Sequence, residues 1–210
     1  MLKTLLIFIF LTISTNGYAM QIVTIDHDPT NCLATQAAPI SITKEGLADA
    51  AKIVAQMKAT LIPLMPAAGL AAPQIGISKQ IFIFSWDRTP EHLDVAINPS
   101  FKPIGDEMIE SWEACFSAML SSGKSKAALL KRYKKIEATY VDLEGKIHHK
   151  ILEDFAAKLF QHEYDHLQGI VNVHRKDAQV KMFNSKDEMI EFMTNVKKKD
   201  SVGYKAPTEE

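Results

Sequence analysis

Five consecutive residues, His162-Glu163-Tyr164-Asp165-His166, restrict the folds open to this chain more than any other stretch of it. A helix places residues four apart on one face, so in helical form this segment brings both imidazoles to one metal ion. The flanking pattern agrees. Leu159, Phe160 and Leu167 recur at helical spacing and predict a core helix over about 153–167. Imidazoles turned inward from a core helix need a partner, because a buried polar group without one costs free energy. Glu163 neighbours the first histidine and is placed to act as general base toward a metal-activated water. The fold must close around this helix.

Two histidines leave a coordination position to fill, and the third ligand separates the possibilities. A zinc endopeptidase of the metzincin type continues with a glycine three residues after the second histidine and another histidine three further on. Gly169 is in place, but the next position is Asn172, and His174 falls two residues late. Cys115, within Glu113-Ala114-Cys115-Phe116-Ser117, is the better candidate, since a thiolate is a good ligand for a borderline transition metal. Taken alone, such a cysteine is more often a small buried hydrophobe. A third segment, Gly69-Leu70-Ala71-Ala72-Pro73-Gln74-Ile75-Gly76, leaves its backbone open to an extended peptide. Its Gln74 offers a neutral amide donor for a developing oxyanion. By itself that segment reads as a small-residue loop.

In this order and spacing the three segments resemble those of peptide deformylases. The likeness runs over about 22–175 and includes Ile97-Asn98-Pro99, Tyr140-Val141-Asp142 and Gln161. It implies one divalent metal ion held by Cys115, His162 and His166, ferrous iron in the family and often zinc, nickel or cobalt in its place. Glu163 would carry a proton from the attacking water to the leaving amine, while the metal, the Gln74 amide and the Phe116 N–H meet the oxyanion. The implied substrates are N-formyl-methionyl peptides, cleaved to formate and a free amino terminus. Gly69 would pair with the substrate backbone, and an apolar pocket near Phe155 and His162 would take the methionine side chain.

The chain departs from the family pattern in places. Ala67 stands where a glycine usually precedes Gly69, and Ala114 and Phe116 replace a glycine and a leucine of the second motif. After Ser117 an apparent insertion, Ala118-Met119-Leu120-Ser121-Ser122-Gly123-Lys124, separates that motif from Arg132. The family often braces the second motif's glutamate with an arginine from this loop, and here Lys124 or Lys126 is left for the role. Two other readings stand beside the first: a metallohydrolase of this fold acting on another acyl-amide, and a non-catalytic formyl-peptide-binding protein with altered selectivity.

Composition narrows the class without naming it. The chain has 210 residues, 47% hydrophobic, with a net charge of -1, which fits one globular domain and gives no general pull toward nucleic acid. Residues 1–19 begin with Lys3, continue through the apolar run from Leu5 to Ile13 and end in small polar residues, the layout of a signal peptide. That run is far short of the roughly 20 residues of a membrane span. The expectation is an exported protein, periplasmic or secreted, with no stable membrane span after leader cleavage; a cytoplasmic one is the alternative. Export would favour zinc over ferrous iron, with a Cys32–Cys115 disulfide as a competing fate.

The mature part reads as a single α+β domain over 20–197, antiparallel sheets packed around the histidine-bearing helix, with a polar tail over 198–210. Further expected elements are an extended lead-in at 22–25, a helix over 45–61, strands at 81–86 and 94–97, a hairpin over 136–152 and a last helix over 179–197. Oligomeric state is not readable.

Overall fold

The computed structural model describes residues 18–199 and 208–209, so of the expected leader only Tyr18 and Ala19 lie within the described residues, both exposed. Helix α1 (Lys44–Leu61) starts at Thr43, whose side-chain oxygen accepts from the Gly46 N–H at 3.2 Å. Its Ala50, Val54, Met57 and Leu61 form one buried stripe. Strands β1 (Gly69–Ala71), β2 (Ile81–Phe84) and β3 (Asp94–Pro103) follow. Then come β4 (Met108–Met119), β5 (Ser125–Tyr133), β6 (Lys135–Val141) and β7 (Ile147–Glu153). Helix α2 (Asp154–Leu167), β8 (Gln179–Phe183), helix α3 (Lys186–Lys199) and β9 (Thr208–Glu209) complete the described elements. All ladders between these strands are antiparallel, in a six-stranded sheet β1-β2-β3-β6-β7-β9 and a three-stranded sheet β4-β5-β8.

Strand β2 shows why the larger sheet is covered on both faces. All four of its side chains are buried, and alternation sends them to opposite sides. Ile81 and Ile83 join the α1 stripe, while Phe82 and Phe84 join the cluster around α2. Phe160 of α2 stands edge-on to Phe82 at 5.0 Å and to Phe84 at 5.8 Å between centroids. Burial of one such ring stabilises by about 1.5–3 kcal/mol. Ala96, Ala138, Ala156 and Ala157 line the same core with small side chains, so helix and sheet approach closely. Helix α2 stops at Gly169, which adopts φ 73°; a Cβ there would lie 2.7 Å from the Thr35 nitrogen.

The smaller sheet carries α3. Phe192 packs on Trp112 at 5.1 Å and on Phe183 at 5.2 Å, beside buried Met189. Helix α2 reaches both sheets, touching β1, β2, β6 and β7 on one side and β5 on the other.

Several expectations need correction. The helix expected over 179–197 is a strand, β8, followed by a shorter helix, α3. The break lies at Asn184-Ser185: Ser185 Oγ accepts from the Glu188 N–H at 3.1 Å, and Glu188 Oε2 accepts from the Asn184 N–H at 2.8 Å, a reciprocal cap. The polar tail is not wholly loose, since α3 runs to Lys199 and Thr208–Glu209 pairs with the edge of β7. The long β4–β5 hairpin was not expected at all. Cys32 and Cys115 are both free thiols, so the disulfide alternative is absent.

Candidate metal centre

Alternation along β4 turns Ser111, Glu113, Cys115 and Ser117 to one face. Each meets a polar side chain there. Lys158 Nζ donates to Ser111 Oγ at 3.0 Å, and His162 Nδ1 donates to Glu113 Oε2 at 2.8 Å. His166 Nε2 lies 3.3 Å from Cys115 Sγ, and Gln74 Nε2 donates to Ser117 Oγ at 3.4 Å and toward Cys115 Sγ at 3.5 Å. Lys158, His162 and His166 are four apart on α2, so strand and helix mesh position by position.

The structure brings all three expected ligands together. The thiol sulfur of Cys115 and one ring nitrogen from each of His162 and His166 lie within 4.8 Å of one another. One sulfur and two imidazole nitrogens form a donor set suited to zinc or ferrous iron. The bond from His162 Nδ1 to Glu113 fixes that ring's tautomer and leaves Nε2 as its ligating atom. Glu163 Oε2 and His166 Nδ1 are buried with no hydrogen-bond partner among the described residues. An unpartnered carboxylate oxygen beside this donor set is what a centre completed by a metal and its water requires. The residues fit the ion.

Charge around the centre is ordered by one buried arginine. Arg132 holds both oxygens of Glu113 at 2.9 Å and reaches Asp165 at 2.5 Å; Asp165 also meets Arg175 at 3.1 Å. The expected brace from Lys124 or Lys126 is therefore replaced by Arg132: Lys124 closes the turn after β4, and Lys126 lies in β5 opposite Met182. Burial would raise the Glu113 carboxyl, but His162 and Arg132 outweigh it and hold it down at about 2. Burial also opposes charge on His162, yet its bonds to Cys115 and Glu113 hold it well above the usual imidazole range. His166, buried and beside His162, is held well below that range, which keeps a lone pair for a metal.

Glu163 is 3% exposed, and burial raises its carboxyl to about 7, the range of an efficient general base at neutral pH. Gly69 makes room for it: a Cβ at position 69 would lie 2.5 Å from Glu163 Oε1. Gln74 is positioned by its own Oε1, which accepts from the Ala71 N–H at 2.8 Å, so its amide N–H groups point toward Cys115. The β4–β5 register shifts between Ala114 and Met119, across the segment that carries Cys115 and Phe116. The lead-in at 22–25 straps the two walls: the Val23 N–H donates to Gln74 O and the Ile25 N–H to Ser117 O, each at 2.8 Å. Phe155 lies at the half-exposed end of the same helix face. Lys158 lies between Phe155 and His162 along this face, where the sequence reading expected apolar residues alone. Sequence reasoning missed Lys158 and Arg88, whose guanidinium lies 4.5 Å from the Phe155 ring centroid. For Lys158 the signal was present, four residues before His162.

Comparison with known proteins agrees with this geometry. The family model described as polypeptide deformylase matches residues 19–182. Peptide deformylase 2 of Ralstonia nicotianae is 40% identical over 111 residues, 50% of this chain and 60% of that protein. Peptide deformylase 2 of Rickettsia conorii is 37% identical over 147 residues, 64% of this chain and 69% of that protein. The matched stretch thus spans less than two thirds of the Ralstonia relative's length. Among solved structures, peptide deformylase from Thermotoga maritima superposes with TM-score 0.63 at 28% identity, covering 76% of this chain and 98% of that one. A Met-Ala-Ser-bound class I type b peptide deformylase from Acinetobacter baumannii gives TM-score 0.63 at 26% identity, over 76% of this chain and 100% of that one. A buried cysteine–dihistidine cluster with a glutamate beside it, on an antiparallel α+β frame matched by the family model over residues 19–182, leaves one assignment: this chain belongs to the polypeptide deformylase family.

Proposed function

We propose that this protein is a metal-dependent hydrolase that removes the formyl group from N-formyl peptides, formyl-methionyl ones in the family's pattern, and releases formate. The observation that carries the reading is Glu163, buried and unpartnered at one oxygen, next to Cys115, His162 and His166. A divalent ion held by those three residues would supply Lewis acidity toward water and the formyl oxygen. Every other task falls to the chain itself. Glu163 accepts the water proton and delivers it to the departing amine. The Gln74 amide, held in place by Ala71, donates to the oxygen on which charge develops, with the Phe116 N–H as second donor. Glu113, clamped by Arg132, orients His162. Gly69 opens β1 to the peptide backbone and leaves space for Glu163. The α2 helix is thus read as the carrier of the metal motif.

The A. baumannii relative binds Met-Ala-Ser, so formyl-Met-Ala-Ser is the natural test substrate. Purified protein loaded with ferrous iron or zinc is expected to release formate from it. Glu163→Ala is expected to keep its metal and lose at least about a hundredfold in rate. Peptide-bond cleavage without formate would favour the broader metallohydrolase reading, and tight binding with no turnover would favour a binding protein. The leader over 1–19 supports an exported enzyme acting in a periplasmic or secreted setting, with zinc as its metal. Fractionation that finds the protein only in the cytosol and starting at Met1 overturns that part.

A further inference from the structure

Asn172 stands where a metzincin would carry its third histidine, and here its amide binds main chain. The residue is 1% exposed and opens a 3-10 turn, Asn172–His174, in the chain that follows α2. Its Nδ2 donates to the Glu113 carbonyl and its Oδ1 accepts from the Val173 N–H, each at 2.9 Å. One partner can only accept and the other can only donate, so the amide has one orientation. The chain between α2 and the turn is itself held. The Gly169 N–H donates to His166 O at 3.2 Å, the Ile170 N–H to Asp165 O at 3.0 Å and the His174 N–H to Val171 O at 2.8 Å. Asn172 is therefore coupled to the helix that carries both histidines, and it grips the strand that carries the cysteine.

The grip falls just before a gap in the β4–β5 ladder. Glu113 pairs with Ala128 and Ala114 with Ala127, and after a register shift the pairing returns at Met119 with Ser125. Cys115 lies in that gap. On its far side Ser117 is held by the Ile25 N–H at 2.8 Å and by the Gln74 amide at 3.4 Å. On its near side Asn172 holds Glu113. Each hold is two residues from Cys115, roughly 7 Å of strand. Glu113 is thus fixed at both ends, its carboxylate by Arg132 and His162 and its carbonyl by Asn172. The carboxylate bonds orient the His162 ring, whereas the carbonyl bond places the main chain that leads to the sulfur. Val171 and Val173, on either side of Asn172, pack with Leu33, Leu130 and Cys115. An amide among such side chains costs free energy unless its groups are paired, as they are here. An apolar residue would fill the same space and leave the Glu113 carbonyl without this donor.

We propose that Asn172 is a positioning residue for the metal centre: by tying the Glu113 main chain to the turn after α2, it sets the distance from the Cys115 sulfur to the two imidazoles, and so the strength and geometry of the sulfur–metal bond. The inference rests on Cys115, His162 and His166 holding a metal, as the deformylase reading requires. Cobalt(II) is the probe, because a thiolate bound to it gives a near-ultraviolet charge-transfer band and its visible bands report coordination geometry. Asn172→Leu keeps the branched shape of the side chain and removes both hydrogen bonds. Its charge-transfer band is expected to weaken at saturating cobalt, and its cobalt affinity, read against a chelating dye, to fall about 10–100-fold. Val171→Ala removes packing from the same cluster and no hydrogen bond; it is expected to lower stability in urea and to leave band and affinity as in the parent. Should Asn172→Leu fail to fold, Asn172→Asp takes its place, since it keeps the Val173 bond and sets an oxygen against the Glu113 carbonyl. The tether stands if band and affinity both drop in the Asn172 variant and neither drops in Val171→Ala. Either one unchanged in the Asn172 variant, or an equal drop in Val171→Ala, overturns it. Parent protein with no thiolate band on cobalt overturns the centre and the tether together. Absence of formate from formyl-Met-Ala-Ser, with the band and its dependence on Asn172 intact, overturns the deformylase reading and leaves the tether standing.

Discussion

Arg132 is the residue whose removal probes the centre most directly. Its guanidinium is 2% exposed and binds three groups: both Glu113 oxygens at 2.9 Å, Asp165 at 2.5 Å and the Gln161 carbonyl at 3.3 Å. Arg132→Met keeps most of the volume and removes every one of these donors. Breaking a buried ion pair by deleting one partner costs about 3–5 kcal/mol, because the other charge stays buried. Here Asp165 retains Arg175 and Glu113 retains His162, which places the expected loss near the lower end, about 3 kcal/mol. That is a large share of the roughly 5–15 kcal/mol that holds a domain together. Glu113 would also stop fixing the His162 ring, so metal affinity is expected to fall about 10–100-fold. Urea unfolding of metal-loaded and chelated protein measures the first effect, and competition with a chelating dye the second. The double variant Glu113→Gln/Arg132→Met, which leaves no carboxylate stranded at position 113, is expected to recover at least about 1 kcal/mol of the single variant's loss. A loss below about 1 kcal/mol in Arg132→Met, with no coupling to Glu113→Gln, refutes the claim that this arginine locks the charges.

Three further perturbations follow from the geometry. Gly69→Ala places a Cβ 2.5 Å from Glu163 Oε1, so the carboxylate must move; formate release should fall about a hundredfold with metal content unchanged, and full activity would show that the base tolerates displacement. Phe160→Ala removes the ring shared by Phe82, Phe84 and Phe101 and should cost about 3–5 kcal/mol in denaturant unfolding. Chelation of the metal should lower stability by about 2.7 kcal/mol relative to protein held at a hundred times its dissociation constant. Cys115→Ser should abolish most of that difference, and a melting temperature indifferent to chelator in the parent protein would count against the centre.

What the sequence made legible was local. Helices α1 and α2, strand β2 and the β6–β7 hairpin carry their periods in their own residues, and each forms within a few positions of where the pattern puts it. The candidate metal ligands were legible because His162 and His166 stand one helix turn apart and Cys115 sits in a recognisable motif. The β4–β5 hairpin was hidden for a physical reason. The inward positions of β4 are Ser111, Glu113, Cys115 and Ser117, so the strand turns polar residues to the interior and defeats a hydrophobic pattern. Arg132 was hidden with it, since its pairing opposite Ile109 exists only once the hairpin is formed. The exposed Val180 and Met182 of β8 imitated the apolar stripe of a helix continuing into α3. Local rules fail here where the residues serve the site rather than the core.

The strap at 22–25 has a consequence for how such proteins diverge. It joins Gln74 to Ser117 through main-chain N–H groups alone, so the side chains of Val23 and Ile25 take no part in those two bonds. Almost any residue can supply an N–H; proline cannot. The two bonds exclude proline at both positions, and the side chains answer to a separate demand, since Val23 and Ile25 pack against the apolar cluster around Leu33, Cys115 and Val171. A short extended segment near the start of the described chain thus ties the Gln74 wall to the Ser117 wall by main chain and caps the core beside Cys115 by side chain.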